Sequence, residues 1–370
     1  MFVQKFNTDM EEKKFSETSR KHYMKGGDGP DSYARNSEYQ KQVLISAEDL
    51  IHQQIDEHLN IQIPRFDPQN TFRIADFGCS IGPNTFYAVE NIISPVKNKY
   101  EKSNQNQTPD FQVFFNDLVG NDFNTLFRNL PSNRKYFVAA APGSFYDHLF
   151  PKKSINFAHS SIALQWLSKI PKEVIRRGIS KGRIHYLGGE KEVKEAYAAQ
   201  HEEDFGRFLN ARADELVDGG LMALHMVGFA DGDAFSLSGI QIEYEILQSC
   251  LEDMVELGKI TKEKVDSFNL PHYFPSESEL KALIEANGSF WIGKIAKLAL
   301  PARSKLGPKG LTLQIKATLG MLFEEHFGNE VAEEVFKLFL DKLVERPALL
   351  DHKYWEHTIY FVFLKRKGVN

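Results

Sequence analysis

The stretch from Ile74 to Asn84 constrains the fold more than any other part of the chain. An apolar run ends at Phe77, a loop with Gly78 and Gly82 follows, and a helical pattern begins directly after the loop. Glycine lets the backbone approach a ligand closely, and the start of a helix offers unpaired N–H groups. The order of strand, small-residue loop and helix predicts a nucleoside site at the edge of a parallel sheet.

The spacing of the glycines narrows the choice of ligand. It matches neither the Gly-x-Gly-x-x-Gly pattern of dinucleotide sites nor the Gly-x-x-x-x-Gly-Lys pattern of phosphate-binding loops. Asp76 stands on the strand before the loop, an arrangement that enzymes using S-adenosylmethionine commonly show. The alternative is a tight turn that only joins the strand to the helix.

Three further apolar runs end in small or polar residues, as the first one does. They lead into Asn116-Asp117, into Pro142-Gly143-Ser144 and into His159-Ser160-Ser161. Ligands of open α/β sheets bind outside the carboxyl ends of the strands, so Asp117 is predicted to hold a ribose diol. About forty residues separate Asp76 from Asp117 rather than about twenty, and the polar stretch 97–109 explains the difference as a surface insertion.

Composition excludes several classes of partner. The chain has 370 residues with a net charge of −5 and a pI near 6.2, which gives no reason to expect nucleic acid or an anionic membrane. Two cysteines, Cys79 and Cys250, are too few for a disulfide framework and suit a reducing, cytoplasmic compartment. No run of 18 apolar residues and no N-terminal signal peptide is present, so no membrane association is expected.

Periodicity extends the α/β interpretation along the chain. Further strands are predicted at 221–227, 288–300 and 357–364, and helices at 190–216, 240–257, 277–285 and 312–344. Helical insertions after the fifth and sixth strands would form a lid over the strand ends. We expect a flexible segment at 1–23, a core at 24–231 with 286–304 and 355–370, and a helical cap at 232–285 and 305–354.

Eight motifs, in one order, resemble the plant SABATH methyltransferases, and among these the loganic acid methyltransferase branch looks nearest. The resemblance runs from Met24 to the C-terminus and rests on Met24-Lys25-Gly26-Gly27, Ser32-Tyr33-Ala34-Arg35-Asn36-Ser37, Ala75-Asp76-Phe77-Gly78-Cys79-Ser80, Gly82-Pro83-Asn84, Phe115-Asn116-Asp117, Pro142-Gly143-Ser144-Phe145-Tyr146, Gln165-Trp166-Leu167-Ser168 and Ser267-Phe268-Asn269-Leu270-Pro271. It implies an S-adenosylmethionine-dependent methyltransferase with a Rossmann-like α/β core and a helical cap.

The resemblance also implies the cofactor residues. Asp117 would accept from the ribose, Leu118 and Phe145 would enclose the adenine, and the remaining positions would contact the cofactor from its loops. The implied set is Tyr33, Ser37, Asp76, Gly78, Cys79, Asn84, Asp117, Leu118, Ser144 and Phe145.

For the acceptor, the resemblance implies that Gln40 and Trp166 hold a substrate carboxylate with neutral donors. Ile162 departs from the family, where most relatives carry tyrosine, and Gln165 stands at a variable position. Tyr244 is expected against the substrate. These departures leave the identity of the acid open.

Glu243 and Glu245 flank Tyr244 on the predicted cap helix. Residues two apart point to different faces of a helix, so at most one of the two faces the pocket. A carboxylate in the pocket would favour an acid that carries a cationic nitrogen. The alternative is a solvated face of the helix.

A magnesium site and a homodimer are the last implications of the resemblance. The metal ligands would be Asp266, the carbonyl of Phe268 and Asn269, with Ser180 in place of the family's asparagine.

The function that the sequence favours is a carboxyl O-methyltransferase that forms the methyl ester of a small plant acid, with an iridoid, an aromatic and an alkaloid-type acid all open. The alternatives are an N-methyltransferase acting on a purine alkaloid and a catalytically silent protein that binds small acids.

Overall fold

A computed structural model describes residues 23–61, 71–103, 108–177, 182–231, 239–300, 303–350 and 358–368. Within these residues the strands form one seven-stranded sheet. They are β1 (Thr71–Phe77), β2 (Asp110–Asp117), β3 (Phe137–Pro142), β4 (Ile155–Ser161), β5 (Leu216–Gly228), β6 (Phe290–Lys297) and β7 (Thr358–Arg366).

The strand order in the sheet is β3-β2-β1-β4-β5-β7-β6. The first five strands run parallel, whereas β7 pairs antiparallel with both β5 and β6. The order reverses between β1 and β4, and such a switch point leaves a crevice at the carboxyl ends of the strands. The predicted α/β fold is confirmed, and strands lie at each predicted position.

Helices contribute side chains to the hydrophobic clusters on both faces of the sheet. They are α1 (Glu38–His58), α2 (Pro83–Lys102), α3 (Phe123–Arg128), α4 (Lys172–Arg177), α5 (Lys191–Glu215), α6 (Gly239–Glu256), α7 (Lys262–Asp266), α8 (Glu277–Asn287), α9 (Gly307–Phe327) and α10 (Asn329–Glu345). None of those helices has both the length and the apolar character that a membrane span requires.

Two hydrophobic clusters account for the apolar strands. In β1, Phe72 and Ile74 belong to one cluster, whereas Ala75 and Phe77 belong to the other. Successive residues of a strand point to opposite faces, and a sheet that is covered on both faces therefore needs a continuous apolar run. This is why the second half of β1 is buried on both faces, whereas Thr71 and Arg73 alternate with Phe72 and Ile74 in its first half.

The helices of the predicted cap region differ from the sequence prediction at one place. Residues 312–344 form two helices rather than one, because the chain turns at Gly328, whose φ is +87°. The predicted cap included residues 277–285, whereas α8 packs against α5 and β6. Its buried Leu280 and Ile284 join the cluster on the sheet. The cap boundaries, including the assignment of 277–285 to the cap, stay predictions.

A buried ion pair joins α5 to the loop after β3. The Arg212 side chain is 1% exposed, and its Nε donates to Glu215 Oε2 at 2.8 Å. Its Nη1 and Nη2 donate to the carbonyls of Phe145 and Asp147 at 2.7 and 3.0 Å. Glu215 Oε1 in turn accepts from the backbone N–H of Leu149 at 2.5 Å. The pair thus holds the path of residues 145–150.

Arg212→Met should lower the free energy of unfolding by about 3–5 kcal/mol, because it leaves a buried carboxylate without its cation. Urea denaturation measures this change. Lys281→Met, in an exposed pair with Glu285, is the control and should cost about 0.5 kcal/mol or less. Equal losses in the two variants would contradict the role given to Arg212.

Candidate active site

The loop after β1 is tied to the end of β2 by three hydrogen bonds. The backbone N–H groups of Gly78 and Cys79 both donate to the carbonyl of Asn116 at 2.9 Å. The N–H of Ser80 donates to Asp117 Oδ2 at 2.8 Å. The Asn116 side chain continues to β3, where it donates to the carbonyl of Ala141 at 2.6 Å. The ends of three neighbouring strands are therefore fixed relative to one another.

Asp117 has both oxygens engaged by the backbone but remains able to bind a ligand. Oδ1 accepts from its neighbour Leu118 N at 2.8 Å, and Oδ2 accepts from Ser80. A carboxylate has about four lone-pair positions, so each oxygen retains room for another donor. Burial raises the pKa of Asp117 to about 6, although the two N–H donors act in the opposite direction.

A cavity of about 230 Å³, which we call the cofactor cavity, opens above this junction. Six of the ten predicted cofactor residues line it: Tyr33, Gly78, Asp117, Leu118, Ser144 and Phe145. The backbone at Gly78 has φ +78°, and a Cβ there would lie 2.5 Å from the Cβ of Ala163. Glycine is thus required by both the dihedral angle and the close approach.

The other four predicted cofactor residues, Ser37, Asp76, Cys79 and Asn84, do not line the cavity. The Asn84 amide donates to both the carbonyl and the hydroxyl oxygen of Ser37 at 3.0 Å, so this pair joins the starts of α1 and α2. Burial and the neighbouring carboxylates hold the pKa of the Cys79 thiol well above its usual value, so it stays protonated. Direct contact of these four with a cofactor stays a prediction.

Asp76 lies beneath the loop in a buried polar chain. Its Oδ2 accepts from the Thr85 hydroxyl, and its Oδ1 lies 2.7 Å from His159 Nδ1. The His159 ring packs edge-on against His225 at 5.3 Å, and His225 Nδ1 lies 3.0 Å from the Ser161 hydroxyl. His159 lines neither of the cavities described here, which favours a positioning role for it and for Asp76.

A second cavity of about 100 Å³ adjoins the first, and we call it the acceptor cavity. All five predicted acceptor residues line it: Gln40, Ile162, Gln165, Trp166 and Tyr244. Four residues line both cavities and so form their boundary: Met24, Tyr33, Ile162 and Trp166. The structure thus places the predicted acceptor residues beside the predicted cofactor residues.

The polar side chains of the acceptor cavity are oriented by their neighbours. Gln314 Nε2 donates to Gln40 Oε1 at 3.2 Å, which leaves the amide hydrogens of Gln40 as its donors. The Trp166 ring lies edge-on against His272 at 4.0 Å. His272 Nδ1 lies 2.5 Å from the Tyr244 hydroxyl. Neighbouring side chains therefore hold these residues of the cavity wall in place.

Ile162 has φ +50°, which is rare for a β-branched residue. Its N–H donates to the carbonyl of His225 at 2.9 Å, and its carbonyl accepts from Gln165 Nε2 at 3.0 Å. Strained residues of this kind concentrate at functional sites, where the surroundings hold them. The resemblance placed Ile162 among the acceptor residues and marked it as a departure from the family, but nothing in the sequence indicated its backbone strain.

The structure shows which of the two glutamates that flank Tyr244 lies at the acceptor cavity, a choice that the sequence left open. Glu243 is 5% exposed and lines the acceptor cavity. The side chain of Glu245 is 48% exposed. Its Oε1 accepts a hydrogen bond from Gln241 Nε2 at 2.7 Å and lies 3.9 Å from Arg183 Nη2. Three more residues of the cavity wall gave no signal in the sequence: His272, Gln314 and Thr318.

The predicted magnesium ligands stay a prediction. Asp266 Oδ1 accepts from the N–H of Gly182 at 3.1 Å, and Phe268 is buried against Phe323 and Phe327. Asn269 Oδ1 is buried without a hydrogen-bond partner in the part of the chain that the structure describes. No group of three Asp, Glu, His or Cys side chains that could hold a metal is found among the described residues, but the predicted ligands are one carboxylate, one backbone carbonyl and one amide oxygen, which such a group does not include. Ser180 lies outside them.

Gly78→Ala should weaken binding of S-adenosylhomocysteine, the demethylated form of the expected cofactor, by about tenfold or more. The left-handed backbone costs an L-residue about 1–2 kcal/mol, and Ala163 must move as well. Gly258→Ala is the matched control, because its φ is +67° and nothing lies within 4 Å of the added Cβ. Calorimetry that shows equal affinity in the two variants would contradict the close approach.

Binding of S-adenosylhomocysteine should also weaken as the pH falls. Protonation of Asp117, whose pKa is about 6, removes the charge to which ribose hydroxyls are expected to donate. The ionised fraction, and with it the affinity, falls about tenfold between pH 7 and pH 5. Asp117→Asn should bind more weakly at pH 7 and show a flat profile. A parent profile without this slope would remove Asp117 from the ribose site.

Comparison with known proteins agrees with this geometry. The family described as "SAM dependent carboxyl methyltransferase" matches residues 19–367. Loganic acid O-methyltransferase of Catharanthus roseus is 46% identical, over 94% of this chain and 95% of the relative. Salicylate carboxymethyltransferase of Clarkia breweri is 37% identical, over 88% and 93%.

A solved structure is also similar to this chain over nearly its full length. The structure described as "Loganic acid methyltransferase with SAH" has a TM-score of 0.89 at 45% identity, and covers 93% of this chain and 99% of its own. The chain belongs to the family of S-adenosylmethionine-dependent carboxyl methyltransferases, the plant SABATH enzymes.

Proposed function

We propose that the protein transfers a methyl group from S-adenosylmethionine to the carboxylate of a small plant acid and releases its methyl ester. The adjoining cavities carry this proposal: one opens onto Asp117, and the other presents Gln40 and Trp166. Ile162 and Trp166 stand at their boundary, so a methyl group and an acceptor would meet there.

The acceptor needs no general base. A carboxylic acid has a pKa of about 4 and is ionised at neutral pH. His159, the histidine that follows β4, is engaged with Asp76 and lines neither cavity. Burial and two carboxylates hold the pKa of Tyr33 well above its usual value, so its hydroxyl stays neutral.

Orientation is the task left to the side chains. Gln40 is held by Gln314 so that its amide hydrogens can donate to a carboxylate. Trp166 is held by ring packing against His272, and the Tyr146 hydroxyl donates to its carbonyl at 2.5 Å. Aligned approach of two bound reactants removes much of the entropic barrier to their reaction.

S-adenosylmethionine, when bound, supplies an electrophilic methyl group on a positively charged sulfur. Tyr33, Asp117, Leu118, Ser144 and Phe145 are the residues that would hold it. Gln40 and Trp166 bind the acid without adding a cation, which would repel that sulfur. The carboxylate and the sulfonium lose their charges together, so a dry pocket opposes the transition state less than it opposes the separated ions.

The direct test is incubation with methyl-labelled S-adenosylmethionine and a panel of acids that includes loganic and salicylic acids. We expect labelled products whose label is released as methanol by mild alkali, as an ester requires. An alkali-stable product from a xanthine would favour the alternative N-methyltransferase. Binding of acids without any transfer would favour the silent binding protein.

The homodimer and the cytoplasmic location are proposals that rest on the resemblance and on composition. Light scattering of the purified protein tests the first, and the location of a fluorescent fusion in leaf cells tests the second. Magnesium binding is a proposal of the same kind, and we expect no role for the metal in the chemical step. Calorimetric titration of the protein with magnesium tests it.

Gln40→Glu should lower kcat/KM for the best acid by about 100-fold or more, because juxtaposed like charges cost several kcal/mol. The affinity for S-adenosylhomocysteine should stay within about twofold, since Gln40 lies outside the cofactor cavity. Gln53→Glu, on the exposed side of the same helix α1, is the control. Parent activity in Gln40→Glu would remove this amide from the carboxylate site.

A further inference from the structure

His272 lies in the segment that follows α7, and it gave no functional signal in the sequence. It is 6% exposed and lines the acceptor cavity. Its backbone forms an antiparallel bridge with that of Trp166, in the loop after β4. Beside this bridge, the N–H of Leu167 donates to the carbonyl of Pro271 at 2.7 Å. The place of His272 next to Trp166 is therefore set by the backbone.

The His272 side chain contacts residues of two elements that are distant in the sequence. Its ring lies edge-on against the Trp166 ring, with 4.0 Å between the centroids and 82° between the planes. Its Nδ1 lies 2.5 Å from the hydroxyl oxygen of Tyr244, which is 5% exposed in α6. One imidazole thus joins a helix of the predicted cap to the tryptophan that is proposed to hold the substrate carboxylate.

The contact between His272 and Tyr244 is available in both tautomers of the imidazole. A ring nitrogen either donates or accepts, and a hydroxyl can supply the opposite role. Both side chains are buried, so water cannot readily replace either partner of this hydrogen bond. Removal of one partner is therefore expected to displace the rings rather than to leave them in place.

We propose that His272 is a positioning residue for methyl transfer, which fixes the Trp166 indole and the Tyr244 ring relative to each other around the bound acid. This inference rests on the proposed function and assigns one more residue to it. The carboxylate must meet the methyl group in line, and a displacement of about 1 Å can cost about 100-fold in rate. His272 takes no proton in this role, because the acid is already ionised at neutral pH.

The alternative is a structural role, in which His272 only helps to hold residues 270–274. Tyr197 offers the matched control for this role. It is fully buried, lines neither cavity, and donates its hydroxyl hydrogen to the carbonyl of Leu270 at 3.2 Å. Tyr197→Phe therefore removes one hydrogen bond from the same segment, and kcat should stay within about twofold of the parent value.

The test is a double-mutant cycle with Tyr244→Phe and His272→Phe, since phenylalanine keeps a ring at both positions. Each single variant should lower kcat about tenfold for the acid that the parent methylates best, with KM within about twofold, because a buried hydrogen bond is lost. Both substitutions remove the same bond, so the double variant should lose about tenfold rather than about 100-fold. The affinity for S-adenosylhomocysteine should stay within about twofold in every variant, since neither residue lines the cofactor cavity.

Four outcomes would overturn the proposal: single losses that multiply in the double variant, a loss confined to KM, a His272→Phe variant with the parent kcat, and an equal loss of kcat in Tyr197→Phe. If His272→Phe does not bind S-adenosylhomocysteine, His272→Leu takes its place in the cycle. If that variant does not bind it either, Tyr244→Phe decides, and a kcat within about twofold of the parent overturns the proposal whereas a loss of about tenfold supports it.

The result can be separated from that of the proposed function. If the parent methylates no acid, the proposed function fails, and the cycle is measured by calorimetry as the affinity of acids for the protein saturated with S-adenosylhomocysteine. Losses of affinity that do not multiply then support the role of His272, whereas absent or multiplying losses overturn it. A parent that binds no acid overturns both.

Discussion

The hydrogen bonds that join the end of β2 to the loop after β1 are the constraint on which the site depends. Asn116 and Asp117 accept three backbone N–H groups from residues 78–80, and Asp117 must do so while it remains open to a ligand. The same carboxylate therefore shapes the loop and is proposed to bind the ribose. Its partial burial explains both its raised pKa and the expected loss of affinity at low pH.

Much of this arrangement can be predicted from the sequence, because ligands of open α/β sheets bind at the carboxyl ends of the parallel strands. Parallel strands place their carboxyl ends at one edge, so residues after β1, β2 and β3 have to meet there. The apolar runs mark the strands, and small residues such as Gly78 mark the close approach. The acceptor residues were found by resemblance, since Gln40 on α1 and Trp166 after β4 carry no local pattern that joins them.

The rest depends on tertiary contacts that leave no periodic signal. In the sequence, Arg212 looks like any other charged residue of a helix. In the structure it is buried, and it donates to the carbonyl of Phe145 in the loop after β3. The contacts of Asp76 with Thr85 and His159 also join different elements of the chain, and contact of Asp76 with the cofactor stays a prediction. The rotation of α6 decides that Glu243 rather than Glu245 faces the cavity, and the sequence alone leaves that choice open.

A crystal structure of the protein with S-adenosylhomocysteine and a methylated or unmethylated acid tests the central claim most directly. The account predicts that the ribose hydroxyls donate hydrogen bonds to Asp117. It also predicts that the acid carboxylate lies within hydrogen-bonding distance of Gln40 and Trp166. The cofactor sulfur should face this carboxylate at the boundary between the two cavities, beside Ile162. A carboxylate bound away from Gln40 and Trp166, or a ribose with no contact to Asp117, would contradict it.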